Sequence, residues 1–201
     1  MVLDPAAAER VETAFDEAQR NTRAPLVCVL ARASMSSEAE FLLGACLIAL
    51  ATPAALLPLT RLSAQRIYIA QLLVAILAAV LGSLPWLRRA AIPRRLKRAA
   101  SHRAALAQFA MRGLDRSGCG VLVYVSLAER YVRIVPAQDA ASAVSAKQWQ
   151  AIVDEALAPL AIGANETALI LLAQRCADLL SRPFPAPENW RPPPQRRFHF
   201  V

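Results

Sequence analysis

Glycine is scarce in this chain, with six residues in 201. None forms a phosphate-cradling loop, which excludes a P-loop nucleotide site. Ser117-Gly118-Cys119-Gly120 is too short for that pattern and reads as a tight lead into a strand. Histidine occurs twice, and His102 and His199 offer no metal-ligand spacing. The four cysteines, Cys28, Cys46, Cys119 and Cys176, include no CxxC pair. They read as small buried hydrophobes rather than ligands or disulfide partners. Acids number 15 against 23 lysines and arginines, for a net charge of +8. No nucleic-acid-binding motif accompanies that excess, so nucleic acid is not an expected partner. Residues 1–20 carry acids and lack an apolar centre, so they do not read as a signal peptide.

The absence with the largest consequence is charge in two long runs. Residues 41–60 contain no charged side chain, and neither do residues 67–87. Each run approaches the ~20 residues a helix needs to cross a hydrocarbon core. A solvent-washed helix would show a polar face. The expectation is a transmembrane helical hairpin over residues 41–87, turning at 61–66, with Pro53 and Pro58 tolerated as kinks. Two crossings return the chain to the side it left. Residues 1–40 and 88–182 are then free to form one split domain, with 183–201 as a proline-rich tail. Arg88, Arg89, Arg94, Arg95, Lys97, Arg98 and Arg103 follow the second run, whereas the turn carries only Arg61 and Arg66. The positive-inside rule therefore puts both termini and the split domain in the cytoplasm. The same basic residues are expected to lie against anionic lipid head groups.

Taken in order, Asp4-Pro5 reads as a helix start, followed by Val11, Ala14, Phe15 and Ala18 at helical spacing. Residues 26–31, LVCVLA, read as a strand buried on both faces. Residues 93–114 read as a basic helix with Leu106, Phe109, Ala110 and Gly113 on its apolar strip, stopping near Gly113. Ser101 and His102 read as surface residues, since neighbours on a helix do not face each other. Residues 121–127 and 131–135 read as an antiparallel strand pair with a three-residue link. Residues 136–144 read as a loop. Ser145 and Gln148 form a capping-box pattern for a helix ended by Pro159, and Asn165 reads as the cap of another. The fold class is α/β: a small mixed sheet flanked by helices, interrupted by the membrane hairpin.

Several pieces of this sequence carry a resemblance: AALAQFAMRGL, GVLVYVSLAERYVRI, QWQAIVDEAL and a helix ending in LLSRPFP. In this order they resemble the TPM domain family, which includes thylakoid luminal proteins and many bacterial membrane proteins. The resemblance implies an α/β sandwich and, for this chain, the bacterial inner membrane. Some members are described as phosphatases or as binders of a divalent cation, often calcium. Those roles rest on acidic loops beside the sheet. Here Ala137 stands where many relatives carry an acid, with Asp139 two positions on. Residues 188–195 read ENWRPPPQ where many relatives end in an acidic run.

A hard divalent cation wants several oxygen ligands. The loop acids that could supply them are Asp115, Glu129, Asp139 and Glu188, provided their loops meet at one sheet end. Trp190, Arg191, Pro192, Pro193 and Pro194 read equally as a partner-docking tail, since extended proline-rich chain suits partner grooves, or as a loose, frayed tail. With the acids thinned out, the expectation is an interaction protein without a catalytic residue or cofactor. It would be an accessory or assembly subunit of a larger membrane complex, in contact with lipid and a membrane-protein partner. The alternative is a divalent-metal-dependent phosphatase using calcium or magnesium. The orientation is testable. A cysteine at Ser63, in a background without the native cysteines, should react with an impermeant thiol reagent in intact cells. Labelling only after lysis would reject the proposed sidedness.

Overall fold

The computed structural model describes residues 3–33, 37–59, 63–82 and 93–201; within these, the side chains of 37–42, 55, 57–59, 82 and 94 are left aside. The chain divides into two compact units, Met1–Ser34 with Arg98–Val201, and Met35–Lys97.

The first unit is built on a four-stranded mixed sheet in the order β3-β2-β1-β4. β1 (Leu26–Ala31) and β2 (Val121–Ser126) are parallel and pair residue for residue, from Leu26 opposite Val121 to Ala31 opposite Ser126. β3 (Tyr131–Pro136) returns antiparallel to β2. β4 (Phe198–Phe200) lies parallel to the other edge of β1. Every residue of β1 and β2 is buried. The cause is coverage on both faces. Leu26, Cys28, Leu30, Val121, Val123 and Val125 point into a large cluster with α1 (Pro5–Arg20), α6 (Ala146–Ala161) and α7 (Asn165–Ser181). Val27, Val29, Ala31, Leu122 and Tyr124 point into a smaller one under α4 (Arg94–Met111). Strands sandwiched this way read as continuous apolar runs, as LVCVLA and VLVYVS do.

Local chemistry sets most element ends. Pro5 opens α1 with its preset φ, while Asp4 occupies the N-cap position without a side-chain capping bond. Ser145 and Gln148 form a reciprocal capping box at the start of α6. Gly113, at φ +62, closes α4 in a left-handed conformation that costs glycine little. Five expectations are corrected. The buried side of α4 is Ala100, Ser101 and Ala105, with Phe109 half-buried, whereas Leu106 and Ala110 are exposed. Small side chains fit under that helix, so size overrode hydrophobicity. Residues 136–144 hold a short helix, α5 (Gln138–Ala143), with Ala140 buried. Pro159 lies inside α6, which runs on to Ala161, and Ala164 rather than Asn165 holds the α7 N-cap position. Residues 183–201 are not a loose tail, because they end in β4.

A single amide organises the passage from α1 into the sheet. Gln19 is buried, donates to the carbonyls of Thr22 (2.7 Å) and Ala24 (2.9 Å), and accepts from the Leu26 amide (2.9 Å). Burial pushes the Cys28 thiol far up and the Cys176 thiol up to about 12, so both are inert packing groups.

In the second unit, α2 (Ser37–Leu59) and α3 (Ala64–Gly82) pack against each other. Among the described residues one stretch, Ala64–Leu81, is long and apolar enough to cross a membrane. The apolar part of α2, Leu43–Ala54, is shorter. Arg61 of the expected turn lies outside the described residues.

Two substitutions test the sheet and its hinge. Val123→Asp, which buries an unpaired charge, should cost at least ~3 kcal/mol. Gln19→Ala, which strips three backbone groups of partners, should cost about 2 kcal/mol. Urea unfolding of the detergent-solubilised chain, followed by tryptophan fluorescence, measures both through the shift in midpoint.

Candidate functional site

The C-terminal segment is held by α1. The Glu12 carboxylate accepts the backbone N–H groups of Arg197 (2.8 Å) and Phe198 (2.9 Å), one on each oxygen. The Arg197 guanidinium is buried, pairs with Asp16 at 2.8 Å, and donates to the carbonyls of Gln195 (2.8 Å) and Pro193 (3.0 Å). Trp190 donates its indole N–H to the Gln19 carbonyl at 3.3 Å, and Thr22 donates its hydroxyl to the Phe184 carbonyl at 2.7 Å. Trp190 is thus engaged within the chain, which corrects its reading as part of a free docking tail. Arg191, Pro193 and Pro194 are exposed, and Pro192 is half-buried. The groups that fix this segment are Glu12 and Asp16, acids of the first helix.

The four loop acids do not converge. Glu129 sits in the turn between β2 and β3, where it accepts a hydrogen bond from the Ser126 hydroxyl. Asp139 follows β3 at the opposite end of the sheet. Six residues of β3 separate those ends, roughly 17 Å at the usual strand rise. Asp115 shares the Asp139 end: the Gly118 N–H donates to the Asp115 carbonyl (3.1 Å), and the Asp139 N–H donates to the Gly118 carbonyl (2.8 Å). Gly118 holds φ +67, a left-handed conformation that favours glycine, and a Cβ there would displace the Asp139 carboxylate. Glu188 is exposed on the C-terminal segment. Among the described residues no group of three or more Asp, Glu, His or Cys is placed to hold a metal ion.

Of the basic residues expected at the membrane surface, Arg88 and Arg89 lie outside the described residues, as does the side chain of Arg94. Arg95, Arg98 and Arg103 are exposed along α4, and Lys97 is half-buried. Leu96, Leu106 and Met111 are exposed on the same helix. Leu96, Arg103, Leu106 and Ala110 recur at spacings that share one face. Ser101 is fully buried, and His102 is half-buried with its Nδ1 unpartnered among the described residues, so neither is the surface residue expected.

The feature sequence reading missed is a groove of about 650 Å³ along β3. β3 is the terminal strand of the sheet, so among the described residues its outer edge has no strand partner. The Ala137 N–H donates to the Gly120 carbonyl, which sets the antiparallel alternation. Tyr131, Arg133 and Val135 therefore bond to β2, while the N–H and C=O groups of Val132 and Ile134 point outward. One wall is α6, through Trp149, Val153 and Leu157. Trp149 is buried, and its indole N–H has no acceptor among the described residues. Arg98, Arg130 and Arg133 also line the groove, with Glu129 and Asp154 as its acids. A signal was present in Trp149 on the α6 face and in two arginines beside a strand, but it has no meaning until β3 is known to be an edge.

No family model matches the chain, and no curated protein matches it. Among solved structures, it is similar to the NMR structure of the BA42 protein from the psychrophilic bacterium Bizionia argentinensis. The TM-score is 0.60 at 11% identity, over 99% of this chain and 95% of that one, which is a likeness of fold.

Two measurements test the C-terminal clamp. Glu12→Ala should accelerate amide hydrogen exchange at Arg197 and Phe198 while leaving β2 protected. Burial, and after it the nearby Arg112 charge, hold the His199 imidazole below its ordinary value of 6.5. The unfolded chain then binds this proton more readily than the native one. The stability this provides is present above pH 6.5 and lost as pH falls through the lower folded value. His199→Gln should remove that part of the acid sensitivity in urea midpoints measured across pH.

Proposed function

We propose that this chain is a membrane-anchored interaction protein with a TPM-like cytoplasmic domain, an accessory or assembly subunit beside a larger bacterial inner-membrane complex. The groove along β3 carries the interaction reading: an open strand edge beside an apolar helix wall is what a protein partner engages. The candidate crossing Ala64–Leu81 supports anchorage. It lies between β1 and β2, so an anchor inserted there tethers the sheet through its two central strands. In this reading α2 completes a hairpin with α3 and returns the chain to the cytoplasm. The exposed Leu96, Leu106 and Arg103 of α4 suit a helix lying in the head-group region, with Arg95, Lys97 and Arg98 beside it.

A divalent-metal-dependent phosphatase is the second reading, favoured by Asp115 and Asp139 sharing one end of the sheet. Against it stands charge. A cation site needs clustered oxygen ligands, and Glu129 belongs to the other end. Turnover of a generic phosphate ester with calcium, magnesium or manganese decides between them, on the wild type, Asp139→Asn and Glu188→Gln. The expected result is no appreciable turnover, together with stable copurification of a membrane complex in mild detergent. Robust turnover that either substitution abolishes would establish the phosphatase instead.

A further inference from the structure

We propose that the β3 edge receives an extended, acidic segment of a partner protein as a fifth strand, with carboxylates alternating with branched aliphatic side chains. This rests on the interaction reading and names the chemistry of its partner. The outward N–H and C=O groups of Val132 and Ile134 supply the ladder bonds of an added strand, and Pro136 ends the ladder because it has no N–H.

Side-chain alternation then sets the sequence the groove takes. An added strand presents successive residues to opposite faces. One set meets Val153 and Leu157 on α6, on the face where Val132 and Ile134 join the large core. Trp149 is buried in that wall and backs it with apolar surface. The other set lies beside Arg133, which alternates to the α4 side with Tyr131 and Val135.

Charge selects the occupant. Arg98, Arg130 and Arg133 line the groove. Against them stand two acids, Glu129 and Asp154, so the groove keeps an excess of positive charge. Arg130 holds a left-handed φ of 49, a conformation that glycine adopts at lower cost. Arg130 lines the groove at the end formed by the β2–β3 turn. A second copy of this chain is a poor occupant, since pairing two β3 strands brings Arg133 near its own copy.

The test uses the full chain in mild detergent and a fluorescent peptide of alternating valine and glutamate, about eight residues long to span the six of β3. Anisotropy should report saturable binding. N-methylation of the peptide on alternate residues, in the frame that faces β3, should weaken it about tenfold. Arg133→Glu should weaken it by a similar factor and favour a valine–lysine peptide instead. Arg133 is exposed, so that variant should keep the wild-type melting curve. Equal binding of the lysine peptide to the wild type, or indifference to N-methylation, would overturn strand addition. Displacement of the peptide by anionic lipid in the same Arg133-dependent way would assign the groove to head groups and also overturn it. Copurification separates the two levels. A membrane complex retained by Arg133→Glu alongside absent peptide binding sinks this inference alone, whereas no complex with the wild type sinks the interaction reading itself.

Discussion

The Gln19 carboxamide is where the chain is joined together. It lies at the passage from the first helix to the central strand, and its three hydrogen bonds occupy both ends of the amide. A carboxamide is the side chain suited to this place, because it donates twice and accepts at the same time. A glutamate would meet two carbonyls with no proton to offer. Around this point the segment that follows α7 is also attached, through Thr22 and the Gln19 carbonyl. The placement of β1, the seating of the C-terminal segment and the register of the sheet therefore share one small polar centre inside an apolar core.

What was legible in the sequence was what local chemistry decides. LVCVLA and VLVYVS are apolar at every position, and only burial on both faces accounts for that. The Ser145–Gln148 box needs no tertiary partner to form, and Gly113 ends α4 by its own conformational freedom. The fate of Glu129 and Asp139 was also within reach. Once residues 121–135 are read as a hairpin, the turn and the far end of its second strand must lie a strand length apart. β4 was not legible. Phe198–Phe200 has too few residues for a period, and Glu12, which receives its first amide, is 186 positions away. The groove was hidden for a related reason, since an edge exists only relative to the order of the whole sheet.

The C-terminal arginines show how composition misleads when geometry is missing. As sequence, Arg191, Arg196 and Arg197 are positive charges placed where a cation site would want acids. In the fold, Arg197 is turned inward, neutralised by Asp16 and spent on two carbonyls of its own segment. Exposed ion pairs elsewhere, Arg10 with Glu166 and Arg175 with Glu155, link helices at the surface and contribute little beyond that. The pair whose guanidinium is buried, Arg197 with the half-exposed Asp16, is the one that decides where the chain runs.

β1 is the first strand of the sheet to be synthesised, yet it sits between β2 and β4, which come later in the chain. At ~5–20 residues per second, on the order of ten seconds pass between translation of Ala31 and of Val121. During that interval the most apolar strand of the domain has neither neighbour. The inserted helices emerge in the meantime. Should α3 engage the bilayer as it appears, the ribosome is drawn to the membrane while β1 still waits. The sheet would then close beside the lipid, where the nascent strand is confined and other nascent chains are few. On the proposed anchorage, the order of the strands ties the domain's folding schedule to the moment when α3 enters the bilayer.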